Sequence, residues 1–252
     1  SEIGLSSWPP LADHRVQGPA LVPASLFAEM ALSGAPGRSV VADLEIQAPM
    51  ILDGEERRTV QVLFSSSDDS FSILSAAAAG GGTPEWIRHA TGSLPASTGS
   101  GGEPPAAADL VSIRAACTEE VEAGAFYAAL AARGFEMGSR FRAVKRVWRG
   151  AGEAIGEVEV PSGADDGGID WHLHPVLIDA CFHVAAATLA PGATESYLFA
   201  GLSRLVLHRH GVTRGWSHVR MRPGAHRDNS FALADGVPFA DAGKMAGGMT
   251  RL

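Results

Sequence analysis

His174-Pro175-Val176-Leu177-Ile178-Asp179-Ala180-Cys181-Phe182-His183-Val184-Ala185-Ala186-Ala187-Thr188-Leu189 is the stretch whose reading decides the fold. It holds no glycine and no proline after the second position, and apolar residues cover every face. A run of this kind cannot lie on a surface, so it must be a helix buried on all sides. What surrounds it is strand-like. Residues 141–149, 154–160, 202–210 and 216–222 are short, apolar-rich and bounded by turn formers. A last hairpin is expected to turn at Asp235-Gly236. A second helix is expected at residues 118–132.

The first part of the chain repeats the pattern. Residues 23–32 form a helix candidate with Leu26, Phe27, Met30 and Ala31 on one face. Ser33-Gly34-Ala35-Pro36-Gly37 stops it. Strand candidates follow at 39–47, 58–65, 71–76 and 86–92. Between the two parts lies Ser93-Leu94-Pro95-Ala96-Ser97-Thr98-Gly99-Ser100-Gly101-Gly102-Glu103-Pro104-Pro105, running on to Ala108, with no apolar period. The expected organisation is an N-terminal unit at 1–92, a linker at 93–108 and a C-terminal unit at 109–252. Each unit would be an antiparallel sheet around one buried helix, an α+β architecture in tandem.

Composition narrows the function. The chain has 252 residues, 46% of them hydrophobic and 19% charged, as a folded core requires. Its net charge of −8 argues against nucleic-acid binding through bulk charge. No run of about 18 apolar residues suggests a membrane span. No leader is visible at the N-terminus, and a first residue of Ser suggests a piece of something longer. The two cysteines, Cys117 and Cys181, form no CxxC pair, so a disulfide scaffold or zinc-thiolate site is not expected and a reducing, cytoplasmic setting is.

Two segments carry chemistry. In Asp13-His14-Arg15-Val16-Gln17-Gly18, running on to Leu21-Val22-Pro23, an imidazole sits at the edge of apolar residues. Gly18 would let the backbone pass close to a ligand, and Pro23 sets a helix start. In the buried helix, Asp179 is costly unless paired or protonated, and His183 follows it on the same face. A base and an acid in apolar surroundings suit proton transfer. His172 and His174, taken with His183, also resemble a metal set. Arg140, Arg142, Lys145, Arg146 and Arg149 form a basic run, either a solvated strand face or a dock for an acidic partner.

At these residues the chain resembles the dehydratase domains of modular type I polyketide synthases. His14-x3-Gly18-x4-Pro23 matches their HxxxGxxxxP motif, and His174-Pro175-x-Leu177-x-Asp179-x3-His183 resembles HPxLLDxxxQ/H. Leu11-Ala12-Asp13-His14-Arg15-Val16, Glu29-Met30-Ala31-Leu32 and Trp216-Ser217-His218-Val219-Arg220 are similar as well. The resemblance implies a double-hotdog fold with one site shared by both halves, His14 as base and Asp179 as acid. It implies substrate contacts from Gly18, Val22, Pro23, Phe135, Met137, Gly138 and His183. The reaction implied is loss of water from a 3-hydroxyacyl thioester carried on the phosphopantetheine of an acyl carrier protein. No other cofactor and no metal is expected. The implied partners are that carrier, neighbouring synthase domains and, optionally, a second copy of the chain, with neither nucleic acid nor membrane. A third motif, GYxYGPxF, reads Gly134-Phe135-Glu136-Met137-Gly138-Ser139-Arg140-Phe141, and Ala24 replaces the glycine after the motif proline. These departures point to an altered pocket. Two alternatives follow: a dehydratase that also closes a cyclic ether by oxa-Michael addition, and a catalytically silent docking module. Backbone N–H groups near Gly18 or at the start of the buried helix are the candidate donors to a developing enolate.

Overall fold

The apolar run at 174–189 folds as α4, Pro175–Ala185, followed by a 3₁₀ turn, Ala186–Thr188. Pro175 occupies the first turn, where its missing N–H costs nothing. Ten of the helix's residues are buried, and only Phe182 is partly exposed. The computed structural model describes residues 1–77, 84–96, 110–164, 169–189, 197–221, 229–234 and 247–251.

The strands are β1 Glu2–Gly4, β2 His14–Val16, β3 Ala20–Leu21, β4 Val40–Ile46, β5 Ile51–Leu52, β6 Arg57–Phe64, β7 Ser70–Ala77 and β8 Ile87–Ser93. They continue as β9 Glu119–Val121, β10 Phe135–Met137, β11 Val144–Arg149, β12 Glu153–Glu159, β13 Tyr197–Val206, β14 Arg214–Met221, β15 Asn229–Ala234 and β16 Gly247–Arg251. The other helices are α1 Ala24–Ser33, α2 Leu110–Ala116 and α3 Ala123–Ala131. Three antiparallel sheets result, in the orders β1-β6-β7-β8-β4-β13-β16, β10-β2-β3-β5 and β15-β14-β12-β11-β9.

The fold is a double hotdog. The seven-stranded sheet wraps α1 and the five-stranded sheet wraps α4, and the two helices pack on each other. One continuous core holds Leu26, Phe27, Ala31 and Leu32 of α1 with Val176, Leu177, Ala180 and Val184 of α4. The α4 helix lies so close to β12 that a Cβ on Gly156 would come within 2.5 Å of Val184 Cγ2. On the other face of β12, Ile155 joins Trp148 and Cys117 in a second cluster, covered by Leu110 and Ile113 of α2.

The units along the chain are not the units of the sheets. β13 comes from the C-terminal part yet pairs with β4, with Leu202 opposite Leu44 and Leu205 opposite Val41. β10 pairs with β2, so the small sheet also draws on both parts. Most of the expected linker lies outside the described residues, but Ser93 ends β8 and Leu94 is buried.

Several expectations need correction. Residues 118–121 are not helical: β9 pairs with β11, and the helix starts only after Glu122, whose carboxylate caps the Ala125 N–H at 2.9 Å. Residues 139–141 form a 3₁₀ turn before β11. β13 begins earlier and ends earlier than 202–210. On α1, Glu29 is buried while Met30 is partly exposed. The turn at Asp235-Gly236 lies outside the described residues. The strands on either side of it, β15 and β16, pair with β14 and β13 in different sheets. No helix among the described residues is long and apolar enough to cross a membrane.

Candidate active site

His14 opens β2 directly after a 3₁₀ turn, Pro9–Asp13. Its ring is held on both sides. Nδ1 lies 2.6 Å from the Leu21 carbonyl oxygen, and Phe141 stacks at a tilt with ring centroids 5.0 Å apart. A carbonyl can only accept, so Nδ1 carries the proton of the neutral ring and Nε2 is left with its lone pair. Nε2 lies 3.6 Å from Asp179 Oδ2.

Asp179 stands in the middle of α4. The i, i+4 spacing brings His183 Nε2 to 3.2 Å from the same oxygen. All three residues are buried, at 5–7% exposure. Neither imidazole is aligned for a hydrogen bond to Oδ2, which has no hydrogen-bond partner among the described residues. Burial lowers the pKa of His183 below the usual imidazole value, a shift partly opposed by the Asp179 charge and reinforced by His14. His183 is therefore neutral at ordinary pH.

The three residues share the wall of a cavity of about 260 Å³. Its lining is predominantly apolar and comes from both halves. Val22, Pro23 and Phe27 belong to the first, with Ile46 at the end of β4. Leu130, Phe135, Phe182, Leu198 and Phe199 belong to the second. Phe182 and Phe199 stack with centroids 4.1 Å apart. Gln47 and Arg133 supply polar groups. An apolar pocket with a few convergent ionisable groups is what a small acyl substrate needs.

Of the residues expected to touch substrate, Val22, Pro23, Phe135 and His183 line this cavity. Gly18, Met137 and Gly138 do not. Gly18 sits on an exposed turn between β2 and β3 at φ +100°, where its carbonyl accepts from Arg15. Met137 lies opposite His14 in the β2–β10 pair, is 3% exposed, and packs into the core. Gly138 acts one step removed: its N–H donates to Asp13 O at 2.7 Å, and a Cβ there would come 2.4 Å from Asp13 Cγ. The Arg140 N–H donates to Asp13 Oδ2 at 2.8 Å. This loop holds the residue before His14 instead of lining the cavity.

The histidines whose spacing resembled a metal set, His172, His174 and His183, do not form one among the described residues. His174 is buried at the N-terminus of α4, and His172 lies 3.5 Å from Glu29. The metal-competent trio among the described residues is His14, Asp179 and His183. The basic run is partly spent on internal contacts: Arg146 pairs with Glu120, Arg149 with Glu119, and Arg142 donates to Met137 O.

Comparisons with known proteins give the family and the fold. The family described as "Polyketide synthase dehydratase N-terminal domain" matches residues 105–251, and "Polyketide synthase dehydratase domain" matches residues 1–76. A pikromycin polyketide synthase component from Streptomyces venezuelae is 32% identical over 251 residues, covering 92% of this chain. This chain spans only 6% of that relative's length. Among solved structures, the dehydratase domain from the CurF module of curacin polyketide synthase superposes with a TM-score of 0.84 at 25% identity, covering 100% of this chain and 91% of that one. Two inactive forms of the CurK dehydratase, one with a histidine changed to phenylalanine and one with an aspartate changed to asparagine, superpose at 0.85 and 0.84. Each is 23% identical and covers 100% of this chain, and 91% and 92% respectively of the solved chain.

Proposed function

This chain belongs to the dehydratase domains of type I polyketide synthases, and from that premise we propose that it removes water from a carrier-bound 3-hydroxyacyl thioester, with His14 as base and Asp179 as acid. The observation that carries the residue roles is the 3.6 Å approach of His14 Nε2 to Asp179 Oδ2 on the wall of one apolar cavity. The loss of activity in CurK dehydratase forms altered at a histidine or an aspartate supports the same two residue types.

The atoms balance as follows. His14 Nε2 takes the C2 proton while its Nδ1–H stays bonded to Leu21 O, which keeps the ring oriented as it becomes cationic. The electron pair left at C2 forms the double bond to C3. The C3–O bond breaks as protonated Asp179 gives its proton to the leaving hydroxyl, and water departs. The imidazolium and carboxylate so formed face each other, and transfer of the His14 proton to Asp179 restores both groups. Neutral His183 beside Asp179 places a dipole, not a second positive charge, next to the developing carboxylate.

The substrate reaches this site on the phosphopantetheine of an acyl carrier protein in our reading, with neighbouring synthase domains supplying and consuming it. Ring closure by oxa-Michael addition draws on the departures at Phe135, Met137 and Ser139. Phe135 lies on the cavity wall, as does the departure at Ala24, but Met137 and Ser139 do not, so plain dehydration is the better supported outcome. The test is a thioester surrogate bearing both a 3-hydroxyl and a distal hydroxyl. An enoyl product is expected. A single ring stereoisomer would favour the cyclase, and no turnover would overturn both.

A further inference from the structure

We propose that His14, Asp179 and His183 form a site for a divalent transition-metal ion of the zinc class, whose binding blocks the cavity. One ligand atom from each residue lies within 4.8 Å of the others. The two distances to Asp179 Oδ2, 3.6 Å from His14 Nε2 and 3.2 Å from His183 Nε2, straddle a tetrahedral edge. For zinc bonds of about 2.0–2.1 Å that edge is roughly 3.3–3.4 Å, so little movement is needed. Oδ2 is buried and has no hydrogen-bond partner among the described residues.

The proton positions suit an ion. The Nδ1–H of His14 is fixed by Leu21 O, the outer contact that metal-bound histidines generally have, and it leaves Nε2 bare. His183 Nε2, 3.2 Å from the same carboxylate oxygen, brings a second imidazole nitrogen within reach of the ion. Binding releases one proton to solvent when Asp179 is in its acid form and involves no redox change. The fourth position would face the cavity. Nδ1 of His183 has no hydrogen-bond partner among the described residues, so the outer support is incomplete. The ion would therefore be exchangeable and inhibitory, not structural. Two neutral imidazoles and one carboxylate select against Mg²⁺ and Ca²⁺, which prefer all-oxygen shells.

Co²⁺ serves as the probe because its visible spectrum reports coordination and needs no turnover, so the outcome stands apart from the dehydratase assignment. Titrating the 252-residue chain should give four- or five-coordinate bands saturating at one ion per chain, bleached by Zn²⁺ and by chelator. His183→Gln and Asp179→Asn, each checked by circular dichroism and melting, should lose the bands. Losing an outer contact alone weakens metal sites ~10–100-fold, so loss of a ligand should exceed that. An unchanged aqueous Co²⁺ spectrum in the wild-type chain would overturn the proposal. So would bands that survive in both folded variants, which would move the ion to surface histidines such as His172 and His210. Should one variant fail to fold, the other decides.

Discussion

Each hotdog half buries one helix, and each helix buries one carboxylate, but the two carboxylates are treated in opposite ways. Glu29 on α1 is 2% exposed and fully engaged. It accepts from the His172 N–H at 3.1 Å, the Leu173 N–H at 2.8 Å and the Ser33 hydroxyl at 2.8 Å. Asp179 on α4 is 5% exposed, and among the described residues its Oδ2 has no hydrogen bond, only two imidazoles close by. A buried polar group is normally satisfied, and an exception needs a reason. Glu29 ties the first half to the segment that leads into α4 and so fixes where Asp179 stands. Asp179 is kept open toward a cavity. One carboxylate holds the structure, and the other is the one we propose as the acid.

The largest expected effect breaks the open carboxylate. Asp179→Asn keeps the shape but gives up the acidic proton, so kcat for dehydration should fall ~10²–10⁴-fold. The melting temperature should change little, because the amide keeps the shape and volume of the buried acid. Steady-state kinetics beside calorimetry checks this. Wild-type turnover in a folded variant would remove Asp179 from the mechanism.

The closed carboxylate should fail the other way. Glu29→Ala leaves two buried N–H groups at 172 and 173 unpaired, each worth about 1–3 kcal/mol. Denaturant unfolding should show a loss of several kcal/mol. Glu29→Gln keeps one acceptor oxygen and should lose roughly half as much. An alanine variant as stable as wild type would mean that water replaces the carboxylate and that the clasp does not tie the halves.

The sheet behind α4 gives a third, smaller effect. At Gly156 an added Cβ meets Val184, one turn beyond Asp179 on the same helix. Gly156→Ala should cost about 1–3 kcal/mol through overpacking. It should also shift α4, so activity should fall at the temperature where the domain is still folded. Activity that follows only the folded fraction would show that α4 does not move.

The same contrast between local and long-range information explains what could be read from the sequence. Both buried helices were legible because a long apolar run without glycine has no other stable home. The beginning of β13 was not. A Cβ on Gly201 would lie 2.3 Å from Leu44 O, so glycine is what lets β13 approach β4 there, a long-range requirement that no local pattern shows. The segment at 119–121 read as helix because glutamate favours one. Pairing of β9 with β11 and the ion pairs of Glu119 with Arg149 and Glu120 with Arg146 override that preference. Strands of two or three residues, such as β2, β3, β5 and β10, are too short to show a period.

In the site, His14 and Asp179 stood out by residue type. Ile46, Gln47 and Phe199 did not, because their place on the cavity depends on β4 and β13 pairing across the halves, and Arg133 did not, because its place depends on β10 pairing with β2. Arg133, a lone cation closing an apolar helix just before Gly134, was the one sequence signal that could have been followed. Met137 and Gly138 were placed by their motif alone, and the structure packs Met137 into the core and Gly138 against Asp13. A motif word says which residues travel together, not which face of the strand they occupy.

The smallest effect concerns pH and separates the two helices once more. His183 on α4 has a pKa lowered from 6.5 by burial. The unfolded chain then binds the proton more readily than the folded one, so stability rises with pH across the interval between the two values. Its contribution is complete above about pH 6.5 and is lost as pH falls through the lower folded value. His89, whose ring lies between Ser75 and the Ala48 carbonyl, is lowered in the same direction and adds to the same limb. Melting curves between pH 7.5 and 5 should therefore slope downward in acid for the wild type. His183→Gln should flatten that slope in part, leaving the His89 share, and the double variant His183→Gln, His89→Gln should flatten it further. Parallel slopes in all three proteins would mean that His183 is as easily protonated in the fold as outside it. In that event Asp179 holds it as a cation, and α4 carries an ion pair where we infer a neutral ring beside an acid.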